Sequence, residues 1–169
     1  MVTNIRVGIG YDVHRLVEGR PLYLGGVRID SELGLEGYSD ADALLHAVMD
    51  ALLGAAGLGD IGHYFPPGDE RFLNASSLQL LTDVRSILTT MGWQVINVDS
   101  TIVAEQPKIA PYIDKMKGAI GKTLHVETAA VGIKATTNER MGFIGRSEGI
   151  AAIAVALIGR QGETLDETV

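Results

Sequence analysis

The chain has no cysteine, few aromatic residues and no excess of positive charge. Each shortage removes a class of protein. Without thiols there is neither a disulfide framework nor a zinc–thiolate centre, so stability must come from packing, with oligomerisation as a further source. No apolar stretch has the length of a membrane span, and Thr3, Asn4 and Arg6 interrupt any signal-peptide core at the start. The expected compartment is therefore the cytoplasm. A formal net charge of −7 argues against nucleic acid and anionic membranes as partners. It also sets a condition on any phosphorylated ligand: repulsion must be offset locally, by metal ions, backbone N–H groups and a few placed cations.

What is present is 169 residues, 46% of them hydrophobic, which is enough for one domain with a sizeable core. Residues 1–160 read as that domain and residues 161–169 as a polar, acidic tail. A first strand is expected over Ile5 to His14, then a hairpin of Pro21 to Leu24 and Val27 to Ile29 turning at Gly25-Gly26. Ser39, with Asp42 three residues on, resembles a capping box, so a helix should run from Asp40 to about Ala56 and stop at Gly57. The stretch from Gly59 to Asp69 reads as a turn-rich substrate loop without an element of its own. Helical spacing of Leu78, Leu81, Val84 and Leu88 predicts a helix over Ala75 to Met91; a strand follows from Val95 to Ala104 and a third helix from Pro111 to Thr123. Ala129 to Thr136 and Gly149 to Ile158 close the chain as strands, the second without charge and so either buried or facing another subunit. The expectation is an α+β fold, with a mixed sheet of about four main strands in a β-α-β-α-β-β core, helices on one face and a small extra hairpin.

Two residues of the first strand carry chemistry. Side chains alternate along a strand, so Asp12 and His14 project from one face, as two ligands of one ion must. A third can come from the run Ala41 to Leu58, apolar almost all round except for Asp42, His46 and Asp50 at i, i+4 and i+8. Buried polar groups need partners or a metal. Taken singly, His46 reads as a hydrogen-bonded core histidine; with Asp12 and His14 it completes two nitrogens and a carboxylate, a set suited to zinc, manganese or a similar ion with an open position. A second cluster lies between the last two strands. Thr136 and Thr137 can donate to phosphate oxygens, Glu139 can hold a hard cation such as Mg²⁺, and Arg146 offers a bidentate fork. A long polar hairpin with turn glycines is the plainer reading of the same residues. His63 and His125 read as surface histidines, His125 lacking a nearby polar partner in sequence.

The segments Gly10-Tyr11-Asp12-Val13-His14, Ser39-Asp40-Ala41-Asp42-Ala43-Leu44-Leu45-His46, Gly57-Leu58-Gly59-Asp60-Ile61-Gly62 and Lys134-Ala135-Thr136-Thr137-Asn138-Glu139 together resemble the 2-C-methyl-D-erythritol 2,4-cyclodiphosphate synthases of the non-mevalonate isoprenoid pathway. The resemblance spans about residues 5 to 158. It implies a cyclisation in which 4-diphosphocytidyl-2-C-methyl-D-erythritol 2-phosphate loses CMP as its own 2-phosphate attacks the β-phosphorus. By the family pattern Asp12, His14 and His46 hold Zn²⁺ or Mn²⁺, and Glu139 holds a Mg²⁺ or Mn²⁺ on the substrate diphosphate. Asp60 and Gly62 bind erythritol hydroxyls, with Phe65 and Asp69 in the loop that closes nearby and Ser39 at the substrate. Ala104 to Ala110, with Lys108, read the cytosine. Thr136 and Thr137 contact the cytidine-side phosphate, Thr137 also steadying the transition state. Phe143 and Arg146 take further ligand-side or central-cavity positions. The family is a homotrimer with sites between subunits and an axial cavity able to take an isoprenoid diphosphate.

Two departures stand out. Position 38 is tyrosine where the family usually has a histidine that steadies the transferring phosphate, which leaves Tyr38 a hydrogen-bond donor without a cation. Pro67-Gly68-Asp69 replaces the usual Asp-Thr-Asp. Two other functions use the same residues: a metal-dependent phosphohydrolase with Asp50 or Asp60 as base, and a trimeric binding protein for isoprenoid diphosphates.

Overall fold

The computed structural model describes residues 2–161; the sequence-predicted tail lies outside them apart from Gln161. Among the described residues seven strands form, β1 (Val2–Glu18), β2 (Leu22–Leu24), β3 (Val27–Ile29), β4 (Leu33–Leu35), β5 (Gln94–Val103), β6 (Val131–Thr136) and β7 (Gly149–Gln161). The helices are α1 (Ala43–Ala56), α2 (Ile61–Tyr64), α3 (Ser77–Thr90), α4 (Ile113–Leu124) and α5 (Gly142–Gly145). The main sheet has five strands in the order β4-β1-β7-β5-β6, not four, and β2-β3 make the separate hairpin. Only β5 and β6 are parallel; β1, β7 and β5 are antiparallel neighbours. The extra strand, β4, is three residues with a glycine at its centre, too short to show a period, and it exists because Leu33 to Leu35 pair with the end of β1.

Alternation along the two longest strands separates two faces. On one, Ala152, Ala154, Ala156 and Ile158 of β7 are buried against the helical layer. On the other, Ile5, Val7, Ile9, Tyr11, Ile153 and Val155 are exposed. Helix α1 is buried almost all round, as its composition demands, and rests on β1 and β7. It can do so because β1 offers glycine there. A Cβ added at Gly10 would stand 2.0 Å from the Ala47 carbonyl oxygen, and one at Gly8 2.0 Å from that of Ala51. The obstruction is backbone, which cannot rotate away. Gly10→Ala should therefore push β1 off α1, at a cost of about 3 kcal/mol or more, and lower the melting temperature by roughly 6–12 °C. Thermal unfolding of metal-stripped protein checks this; an unchanged midpoint would mean that strand and helix are less closely packed.

The start of α1 differs from the capping-box reading. Ala41 has φ +56°, so the helix cannot begin at Asp40. Asp42 is the N-cap, accepting from Leu45 N–H at 3.0 Å, and the same carboxylate accepts from Gly25 and Gly26 N–H at 2.9 and 2.7 Å. One buried carboxylate thus caps α1 and clamps the hairpin turn onto it. Gly57 ends the helix in the left-handed conformation as expected.

Candidate metal centre and ligand cavity

The close approach of β1 and α1 sets Asp12 and His14 beside His46, one turn into the helix. The Asp12 Oδ2 lies 2.8 Å from His14 Nε2 and 3.0 Å from His46 Nδ1, and the two ring nitrogens are 3.2 Å apart. All three ligand atoms fall within 4.8 Å of one another. Each ring is oriented from behind. His14 Nδ1 sits 2.7 Å from the Glu36 carbonyl oxygen, to which it donates, leaving Nε2 with its lone pair toward the centre. His46 Nε2 lies 3.1 Å from Ser77 Oγ and 3.3 Å from Ser39 Oγ. Because the Ser77 hydroxyl donates to Asp40, its oxygen accepts from His46 Nε2–H, and Nδ1 is the nitrogen free for an ion. Two lone pairs and a carboxylate aimed at one point could hold a cation.

Without a metal ion, Asp12 and His14 bear on each other's protonation. Burial opposes every charge here, yet hydrogen bonds and charge from His14 and His46 hold the Asp12 carboxyl well below the usual carboxylate range. Burial likewise lowers His14, and Asp12 more than reverses it, so His14 ends above its ordinary value. The stabilisation from His14 is fully present below about pH 6.5, its unfolded value, and is lost as pH rises through the folded one. That from Asp12 is present above about pH 4 and lost as pH falls through its depressed value. Metal binding has the opposite sign to His14, since it must displace that proton and strengthens as pH rises. Melting curves between pH 6 and 9 should fall with pH in EDTA and hold or rise with metal; parallel curves would refute the shared site. Ser77→Ala, which strands His46 Nε2–H, should weaken metal affinity by roughly 10–100-fold, as read by competition with a chelator.

The second cluster forms around Glu105, which sequence reasoning passed over. Its Oε1 accepts from Asn138 N–H at 2.9 Å and Arg140 N–H at 3.1 Å, winding the loop so tightly that Glu139 and Arg140 have φ +51° and +62°. Thr137 Oγ1 donates to Glu139 Oε1 and accepts from its N–H, both at 3.3 Å, so these two residues act as a unit. Ala104, Lys108, Ala110, Thr136 and Thr137 line one cavity of about 290 Å³. Val13 and Val103 both pair with Ala151, and Val103 pairs with Thr136. Metal triad and cavity therefore share one end of the sheet, three strand spacings or about 14 Å apart.

The other expected residues are scattered around this end. Asp60 caps α2, accepting from His63 N–H at 3.2 Å, and Gly62 follows in the same turn, so the predicted loop contains a short helix. Phe65 packs edge-on against Phe72 with centroids 5.3 Å apart. Asp69 is engaged with Arg71 and caps a 3-10 turn. Ser39 is buried with its hydroxyl toward His46, and the Tyr38 carbonyl accepts from Asn74 N–H at 2.8 Å. Arg146 does not join Thr136 and Thr137: it pairs with Glu148 at 2.6 Å. Phe143 lines a different cavity of about 280 Å³ with Val13, His14 and Glu148. His125 does have a polar neighbour, Arg85, whose Nη1 is 2.5 Å from its Nδ1. Among the described residues no helix is long and apolar enough to cross a membrane.

Fold and site define an α+β protein with a two-histidine, one-carboxylate triad able to hold a metal, at the sheet end that also carries a ligand-sized cavity. Residues 5–159 match the YgbB family. The 2-C-methyl-D-erythritol 2,4-cyclodiphosphate synthase of Symbiobacterium thermophilum is 63% identical over 152 residues, covering 90% of this chain and 97% of that protein. Among solved structures, the IspF–CDP complex of Plasmodium falciparum superposes with a TM-score of 0.82 at 30% identity, covering 96% of this chain and all of that one. The bifunctional IspDF of Campylobacter jejuni reaches a TM-score of 0.90 at 41% identity over 94% of this chain, which spans only 43% of that longer protein. The chain belongs to the YgbB family, that of the 2-C-methyl-D-erythritol 2,4-cyclodiphosphate synthases.

Proposed function

We propose that the chain is a cyclising phosphorus–oxygen lyase of isoprenoid precursor biosynthesis, converting 4-diphosphocytidyl-2-C-methyl-D-erythritol 2-phosphate into 2-C-methyl-D-erythritol 2,4-cyclodiphosphate and CMP. The observation that carries this reading is the convergence of Asp12, His14 and His46 on one point, at the sheet end that bears the Ala104–Thr137 cavity. An oxygen of the 2-phosphate bonds to the β-phosphorus while the bond from that phosphorus to the oxygen bridging to the α-phosphorus breaks, and CMP leaves with the electron pair. No water is consumed, and the ionised phosphate needs no general base. Zinc or manganese at the triad, and magnesium or manganese at Glu139, supply charge neutralisation for the phosphates when bound.

The chain's own work is to fold one anionic molecule into attack geometry. Backbone groups of Ala104 to Ala110, with Lys108, take the cytosine, in keeping with the relative solved with CDP. Thr136 and Thr137 hold the cytidine-side phosphate, Thr137 through the transition state. Asp60 and Gly62 receive the erythritol hydroxyls, with Phe65 and Asp69 on the closing loop and Ser39 behind His46. Tyr38 donates to the transferring phosphate in place of a cationic side chain. The assembly is a homotrimer in which one subunit's triad faces its neighbour's cavity. Two features support this: the separation of triad and cavity within one chain, and the apolar outer face of β1 and β7, which is of the kind that marks an interface. Phe143 and Arg146 would then flank an axial cavity open to an isoprenoid diphosphate.

The test is ³¹P NMR of protein incubated with the diphosphocytidyl substrate, zinc and magnesium, beside an EDTA-treated control. Paired cyclodiphosphate resonances with released CMP, lost in EDTA, support the lyase. Inorganic phosphate in their place would mean hydrolysis, and an unchanged spectrum would mean a binding protein.

A further inference from the structure

Of the polar residues at the N-cap and along α1, Asp42 is accounted for by the hairpin clamp and His46 by the candidate metal triad. Asp50 is not. It lies one turn beyond His46, half-buried, where burial and the charge of Asp60 push its carboxyl upward, and Asp60 is among the hydroxyl-binding positions. Its Oδ1 accepts from the Ile61 backbone N–H at 2.9 Å, eleven residues away, at the first residue of α2.

Leu58, Ile61, Tyr64 and Phe65 pack the segment against the core, and the Asp50 bond is the side-chain hydrogen bond that ties the start of α2 to α1. Gly57 and Gly59, with φ of +74° and +82°, lie between the end of α1 and Asp60, and glycines in that region permit many neighbouring conformations. The hydrogen bond that the Asp60 carboxylate accepts, from His63 N–H, stays within its own turn. A carboxylate kept half-buried beside another carboxylate is costly to retain for loop stability alone, and an N–H to carboxylate bond is among the stronger ones available. We propose that Asp50 is a positioning residue: through Ile61 N–H it locks Asp60 and Gly62 to the helix that carries His46, fixing the hydroxyl-binding segment relative to the metal triad. This deepens the lyase reading and rests on it for the identity of the substrate.

The experiment compares Asp50→Ala with Asp50→Asn, whose amide oxygen can still accept from Ile61. Asp50→Ala should raise KM for the diphosphocytidyl substrate roughly tenfold or more, with kcat less affected. Its metal stoichiometry should match wild type. Asp50→Asn should retain near-wild-type KM. Hydrogen exchange over residues 58–65, measured by mass spectrometry without substrate, should quicken in Asp50→Ala and not in Asp50→Asn. Unchanged KM and exchange in Asp50→Ala would overturn the proposal. So would an Asp50→Asn variant as impaired as the alanine, because charge and not the hydrogen bond would then be the operative property. If wild type forms no cyclodiphosphate, the lyase reading fails, while the exchange comparison still decides whether Asp50 holds the segment.

Discussion

Replacing His46 with alanine should remove the triad's metal and lower turnover by about three orders of magnitude or more, the several kcal/mol expected of an ion that stabilises phosphoryl charge. The substitution isolates the site. His46 lies within α1 and is almost fully buried, so alanine keeps the helix and leaves a small cavity flanked by Ser39 and Ser77. Asp12 and His14 would remain 2.8 Å apart on β1, but two ligands on one strand do not hold a tetrahedral ion tightly. Metal content by mass spectrometry and turnover by ³¹P NMR should fall together. Full turnover in this variant would sink the metal-centre argument whatever the metal content.

Asp12 and His14 are legible in the sequence because strand alternation is a rigid rule, and His46 because a polar stripe on an apolar helix must be accounted for. Their supports are not legible. Ser77 lies 31 residues from His46 and Glu105 lies 33 from Asn138, and each meets its partner only once helix and sheet have packed. Asp42 shows the same limit from the other side. Its spacing from Ser39 suggested a cap three residues too early, because the left-handed turn at Ala41 leaves no composition signal. Arg146 reads as a phosphate fork from its neighbours in sequence, and in the fold its guanidinium is paired with Glu148, two residues on. Local period survives folding; the partners that lie thirty residues away are chosen by tertiary structure.

The uncharged last strand left two outcomes open, burial or a subunit contact; one of its faces is buried within the chain, and the other is exposed and is the one the proposed trimer would cover. On β1 and β7, Ile9 pairs with Val155, Tyr11 with Ile153 and Val7 with Leu157, so the outer side chains form one apolar surface across two central strands. Ile9 is its most exposed large residue, at 70%. A lysine there loses almost nothing within the chain, where its stem can lie along the strands and its ammonium can reach water. Around a three-fold axis the same change would bury three unpaired charges against one another, each costing several kcal/mol. If the chain forms the proposed homotrimer, Ile9→Lys should therefore reduce the particle from three times 18.0 kDa to a single 18.0 kDa chain by light scattering. Its circular dichroism should stay native, and it should keep triad metal, since Asp12, His14 and His46 belong to one chain. Turnover should vanish, because the cavity facing each triad would have left with the neighbour. A monomer with full activity would place the whole site within one subunit, and an intact trimer would move the seam away from this face.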